Sequence, residues 1–419
     1  MFRQILPVSA LLLGSALLLF AGGINGLILP IRGTAEGFSA SSLGLLGTGW
    51  AFGYVAGCLM TPPLVGKVGH IRSFGVMAAF AAVAVLVSLI FLTPCAWIPL
   101  RALSGFCFAG AAMIVESWLS ERADPSSRGR IFGLYTMVNL AASTAGQLVL
   151  TLGDPMGFLF FILPAIFYCL ALVPTAISTT EVPKPLVSVR LDLKALWRNS
   201  PVAVFGVFFV GISNSAFGTL AAVYADRIGL AVASVALFAS LPVLAGAFSQ
   251  VPIGWMSDRM DRRVVLVGVA LTALAVDLVF ILLRPEAVEV NLALSALFGA
   301  AIYAMYPIII AHANDHAPEG TAIQVSGGLL MVFGLGSIAG PMVAGFSMTP
   351  FGGQGLFITS ALAHGLLILF AIFRIWTRAA VEAEDKAVFV PSPAARAMTP
   401  ETTVLAVGEG EDRELPAEG

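Results

Sequence analysis

The sequence predicts an all-α membrane protein of twelve transmembrane helices arranged as two pseudo-symmetric six-helix bundles. Three observations lead there: a charge-poor composition, the spacing of the charges that remain, and a faint repeat between the two halves. Of 419 residues, 58% are hydrophobic and 11% charged, with a mean hydropathy of +0.94. Soluble domains carry about 25% charged residues, and disordered chains are poor in apolar ones, so both classes are excluded. Cys58, Cys95, Cys107 and Cys169 lie far apart with no C-x-x-C pair. Neither a disulfide framework nor a zinc site is suggested, and they read as small apolar packing residues.

A bilayer span needs roughly 20 residues with few or no charges, so the charge gaps are a topology reading. No Asp, Glu, Lys or Arg occurs between Arg3 and Arg32, Glu36 and Lys67, Arg72 and Arg101, Arg130 and Asp154, Asp154 and Glu181, Arg198 and Asp226, Arg227 and Asp258, or Glu289 and Asp315. Each gap holds one span. Two further spans carry one internal charge each, Glu116 and Asp277. The uncharged stretch from Glu319 to Arg374 is long enough for two helices, and Thr349 to Gly353 has the composition of the turn between them.

Positive residues are retained on the cytoplasmic side of a membrane. Alternate connections place 18 of the 22 basic residues on one face and three on the other, with Arg101 at the start of span 4. Both termini are therefore expected in the cytoplasm. The first apolar segment is too long for a signal-peptide core and reads as an uncleaved first helix. The domain organisation is an N-terminal bundle over 1–178, a cytoplasmic linker over 179–200, a C-terminal bundle over 201–378 and a disordered acidic tail over 379–419. Residues 382–419 carry nine acidic and three basic side chains, a net charge of −6, with too little apolar content for a core. Nothing supports nucleic-acid binding.

The halves echo one another. Phe20-Ala21-Gly22-Gly23-Ile24-Asn25 in span 1 matches Phe209-Val210-Gly211-Ile212-Ser213-Asn214 in span 7, and Ala145-Gly146 in span 5 matches Ala339-Gly340 in span 11. Six-helix repeats with a site between them are a transporter architecture.

The connection between spans 8 and 9, Gly254-Trp255-Met256-Ser257-Asp258-Arg259-Met260-Asp261-Arg262-Arg263, is similar to the G-x-x-x-D-R-x-G-R-R loop of the major facilitator superfamily (MFS). Pro62 to Ile71, between spans 2 and 3, is a degenerate copy with Gly66 where the family has Asp. Arg101 to Gly105 looks like that family's R-x-x-x-G element. Glu116-Ser117-Trp118-Leu119, Tyr306-Pro307 and His312-Ala313-Asn314-Asp315 further resemble the YcaD branch of bacterial carriers. The resemblance covers residues 1 to about 376. It implies the MFS fold, helices 1, 4, 7 and 10 around a central cavity, a bacterial inner membrane and a small-molecule substrate. It also implies a latch in which Asp258 faces the start of span 5 near Arg128, with Arg259, Arg262 and Arg263 anchoring the loop.

Charged groups within spans cost several kcal/mol unless they face a cavity or a partner. Glu116 lies 15 residues beyond Arg101, about 22 Å along a helix, at the depth of His312, Asn314 and Asp315. Glu116 with His312 is accordingly the expected proton-coupling pair, with a fixed inner-gate cluster as the rival reading. Asn25, Arg101, Glu116, Trp118, Asn214, Tyr303 and Tyr306 are the expected cavity residues, while Asp277 and His364 read as structural.

No H-E-x-x-H, G-x-S-x-G, Walker or dinucleotide fingerprint occurs, so an enzyme is not expected and neither a cofactor nor a metal is implied. The expected function is secondary active transport of a small polar or amphipathic solute by alternating access, coupled to protons, by a monomer in the lipid bilayer. A multidrug or metabolite efflux antiporter is one alternative. The drug-antiporter Gly-Pro element is missing from span 5, where Ala141 to Gln147 stands. A non-transporting membrane sensor with the carrier fold is the other.

Overall fold

The computed structural model describes residues 2–122, 128–177, 186, 192–318, 320–379, 381, 386–387, 389–391 and 398–402, apart from the side chains of 2–8, 122, 128–130 and 175–177. Among the described residues, twelve long helices cross the molecule: α1 (Phe2–Ala35), α2 (Ala40–Val68), α3 (His70–Ile90), α4 (Pro94–Arg122), α5 (Arg128–Leu148), α6 (Leu159–Ile177), α7 (Pro201–Arg227), α8 (Val232–Arg259), α9 (Arg262–Leu282), α10 (Val288–Asn314), α11 (Ala322–Phe351) and α12 (Gln354–Thr377). Ten of them are long and apolar enough to cross a membrane, and the apolar part of α6 is shorter. These helices match the spans read from the charge gaps. With an even number of crossings, both ends of the bundle lie on one face, called here the terminal face, and the opposite one is the far face.

Packing repeats between the halves. In the first, α1 packs on α5, α2 on α4 and α3 on α6; in the second, α7 packs on α11, α8 on α10 and α9 on α12. The paired Ala-Gly dipeptides sit at two of these crossings, α1 on α5 and α7 on α11. A Cβ added at Gly146 would come within 2.2 Å of the Phe20 carbonyl oxygen, and one at Gly340 within 2.3 Å of the Ile212 carbonyl oxygen. The repeat is thus a pair of backbone approaches that only a missing side chain permits.

The halves meet along α2 and α11 toward the far face. Gly44 lies against Pro341, Gly345 against Ala40, and Thr48 donates a 2.9 Å hydrogen bond to the Ile338 carbonyl. Residues Val149–Leu152, just beyond α5, and α5 itself pack on α8. Nearer the terminal face, residues of the C-terminal segment stand between the halves.

Several boundaries differ from expectation. Helix α11 runs through Pro350 and ends at Gly352, whose φ of 62° is the left-handed conformation that glycine accepts. Helix α4 begins at Pro94, so Arg101 is buried two turns inside it rather than at its start. The linker contains a short helix, Leu193–Asn199, capped by a 2.9 Å bond from the Ala195 N–H to Asp192. Most of the remaining linker lies outside the described residues. For the tail, disorder does not describe 398–402, where Met398, Thr399, Glu401 and Thr402 are buried.

Candidate functional site

A cavity of about 190 Å³ opens between the halves in their far-face portion. From the first half it is lined by Asn25, Trp50, Arg101, Ser104, Phe108, Gln147 and Tyr168, and from the second by Phe217, Thr219, Val243 and Tyr303. The Asn25 amide and the Arg101 charge both act on the Tyr168 phenol. One wall therefore combines a cation, an amide and a phenol, while aromatic rings supply apolar surface. Such a lining suits a solute with both polar and apolar parts.

Of the seven expected cavity residues, the structure brings Asn25, Arg101 and Tyr303 to this cavity. Tyr306 is buried edge-on against Phe333, and Asn214 is buried in α7. Trp118 stacks on His70 with centroids 6.1 Å apart. Two residues beyond Glu116 on an α-helix is a turn of about 200°, which aims Trp118 at α3 rather than inward.

Glu116 belongs to a second polar site, closer to the terminal face. Its carboxylate is 1% exposed. Oε1 accepts a 2.8 Å bond from Tyr135, while Oε2 accepts from Thr402 at 2.8 Å and from Thr399. The Tyr54 hydroxyl donates to the Met398 carbonyl at 3.0 Å. His312 is elsewhere: its neighbours are His316, Asp261, Arg262 and Arg263, and it shares none of the Glu116 partners.

The loop between α8 and α9 forms a third cluster. Arg262 donates to Asp315 at 2.7 Å, Ser257 at 3.0 Å and Asp258 at 3.1 Å, tying the ends of α8 and α10 to the start of α9. The Asp258 carboxylate, expected to face α5, is thus partnered within its own half; the Arg128 side chain lies outside the described residues. Arg259 lies 4.1 Å over the Trp255 ring, and Arg263 reaches the carbonyls of Arg374 and Arg378. Asn314 accepts a long bond from Ser326 at 3.4 Å. Burial pushes the Asp315 carboxyl above its ordinary range, opposed by Arg262 and by the Ala387 N–H. Burial also acts upward on Asp261, but hydrogen bonds from Arg263 outweigh it and hold Asp261 below its usual value.

Asp277 and His364 are buried together away from the cavity. His364 Nδ1 lies 2.7 Å from Asp277, Nε2 lies 2.9 Å from Ser213, and Ser360 donates to Asp277, so α7, α9 and α12 are joined by one network. Sequence reasoning singled out Tyr303 and Tyr306 among six tyrosines. It passed over Tyr54, Tyr135 and Tyr168, although a phenol inside an apolar span is itself a signal of a polar partner.

Two six-helix halves around a shared cavity define a multi-pass membrane transporter. The family model described as Major Facilitator Superfamily matches residues 11–248 and 203–398, and the chain belongs to that family. Among curated relatives, an uncharacterised MFS-type transporter of Yersinia pestis (strain Pestoides F) is 26% identical over 371 residues, covering 85% of this chain and 92% of the relative. The MFS-type transporter YcaD of Salmonella newport (strain SL254), also uncharacterised, is 25% identical over 383 residues, covering 87% and 95%. In fold, the chain is similar to a mutant of the nucleoside transporter NupG, with a TM-score of 0.73 at 13% identity over 89% of this chain and all of that one. An inward-facing, occupied bacterial homologue of the human lysosomal transporter Spinster gives 0.69 at 15% identity, covering 92% and 98%.

Proposed function

We propose that the protein is a secondary active transporter that moves a small polar or amphipathic solute across the bacterial inner membrane by alternating access. The observation that carries this reading is the cavity itself, lined from both halves and holding Arg101, Asn25 and Tyr168 on one wall opposite Thr219 and Tyr303. Rocking of one half against the other would open such a site to each face in turn. The terminal face, which collects the basic residues, is the cytoplasmic one in this reading, and the working unit is a monomer.

Coupling to protons is assigned to Glu116. It is an ionisable group inside a span, with hydroxyl partners on both carboxylate oxygens. Gain or loss of a proton would change which of those bonds it can make, and so bias one arrangement of the halves over the other.

A thermal-shift screen of the purified protein against metabolites and antibiotics, at two pH values, tests the cavity. A stabilising ligand is then taken into proteoliposomes containing a pH-sensitive dye. The reading requires that the ligand shift be lost in Arg101→Gln and that uptake move protons. A ligand that binds equally well without Arg101, or accumulates with no proton flux, removes the corresponding assignment.

A further inference from the structure

The Glu116 site is completed by residues from the other end of the chain. After α12, the chain is pinned beside the loop between α8 and α9, where Lys386 donates to the Met260 carbonyl at 2.6 Å and the Ala387 N–H donates to Asp315 at 3.0 Å. Arg262 reaches the Ala387 carbonyl. Phe389 is buried against Gly254, on α8, where a Cβ would come within 2.4 Å of its ring. The chain next appears across the gap between the halves. Met398 lies with Tyr54 and Cys58 of α2 on one side and Leu330, Met331 and Gly334 of α11 on the other.

Thr399 and Thr402 follow, both fully buried, and both donate to Glu116 Oε2. They also hold one another, through a 2.9 Å bond from the Thr399 N–H to the Thr402 hydroxyl. Pro400 lies between them in sequence, and Glu401 brings a second carboxylate into the neighbourhood of Glu116. A carboxylate buried without donors is costly, and here two of its donors belong to the segment that covers it. The segment touches both halves at once, in the part of the interface that α2 and α11 leave unfilled.

We propose that residues 398–402, tethered to the loop between α8 and α9 through Lys386, Ala387 and Phe389, are a plug of the terminal-face vestibule: Met398 wedges between α2 and α11, Thr399 and Thr402 cap Glu116, and the plug withdraws before Glu116 meets the solution on that side. The inference rests on the transport reading only in taking that solution to be the cytoplasm.

Two measurements on the full-length protein test it, and neither needs a transported solute, so it stands or falls separately from the transport reading. In Met398→Cys, mild oxidation should join the introduced thiol to Cys58, detected as a linked peptide pair by mass spectrometry. In the triple variant Met398→Asp, Thr399→Ala, Thr402→Ala, alkylation of Cys58 by N-ethylmaleimide should accelerate at least about tenfold, a ratio that the loss of one charge-assisted hydrogen bond is enough to set. A synthetic peptide of residues 386–402 should slow it again. No linked pair, an unchanged alkylation rate, or a peptide without effect would each overturn the plug. Loosening by general misfolding accelerates Cys58 as well but leaves the peptide without effect, so it counts against the proposal.

Discussion

Tyr135 donates a 2.8 Å hydrogen bond to Glu116 across the contact between α5 and α4, both side chains being buried. The bond joins the buried acidic side chain of α4 to a neighbouring helix of its own half. Removing it in Tyr135→Phe should cost about 1.5–3 kcal/mol, the range for hydrogen bonds to charged groups, read as a lower unfolding midpoint in detergent. Glu116→Gln keeps the shape and can still accept from Tyr135. It should fold normally, yet lose proton-driven accumulation of whatever ligand the screen identifies. Accumulation that still collapses with the proton gradient in that variant would end the coupling assignment.

The Asp277–His364 pair is enclosed at 0% and 1% side-chain exposure. Breaking a buried pair leaves the partner without compensation, so Asp277→Ala should destabilise by about 3–5 kcal/mol. Asp277→Asn retains an oxygen for Ser360 and should cost clearly less. Because the network lies off the cavity, ligand affinity in the folded fraction should not change in either variant; binding measured on the purified protein checks this.

Asp261 stands where the family loop carries glycine, and it caps α9 through a 2.9 Å bond from the Arg263 N–H while pairing with the Arg263 guanidinium at 2.7 Å. Its carboxyl is held below its ordinary value by the hydrogen bonds from Arg263, which outweigh burial, so its stabilising effect is present at neutral pH and is lost as pH falls through the lowered value. Asp261→Asn keeps a capping oxygen but not the charge. Wild type should exceed it by about 1 kcal/mol at pH 7, as for a partly exposed pair. The difference should shrink in melting curves taken toward pH 3.

At the seam between halves, a Cβ on Gly44 would stand 2.3 Å from the Pro341 carbonyl oxygen. Backbone cannot yield as a flexible side chain does, so Gly44→Ala should cost about 1–3 kcal/mol through overpacking. The control Gly133→Ala, with open space at the new atom, should be near neutral or slightly stabilising in the same melting assay.

The spans were legible because the bilayer excludes charge, a constraint that acts on every residue of a helix and leaves long gaps between Arg3 and Arg32 or Arg227 and Asp258. Individual contacts inside the bundle follow rotation about each helix axis, which charge gaps do not report. Trp118 was therefore grouped with Glu116 by proximity in sequence and turned out to face His70. Asp258 was read from its loop alone, whereas Arg262, four residues on, occupies it. The contacts of Thr399 and Thr402 were invisible for a different reason. A polar, proline-containing stretch has no period to detect, and its burial depends on a carboxylate 283 residues away.

Because Met398 to Thr402 reach into the interior, the carboxyl terminus is a poor place for an affinity handle or fluorescent fusion. A bulky appendage close behind Thr402 would load the segment that shields Glu116, and recordings from such a protein would report an altered entrance.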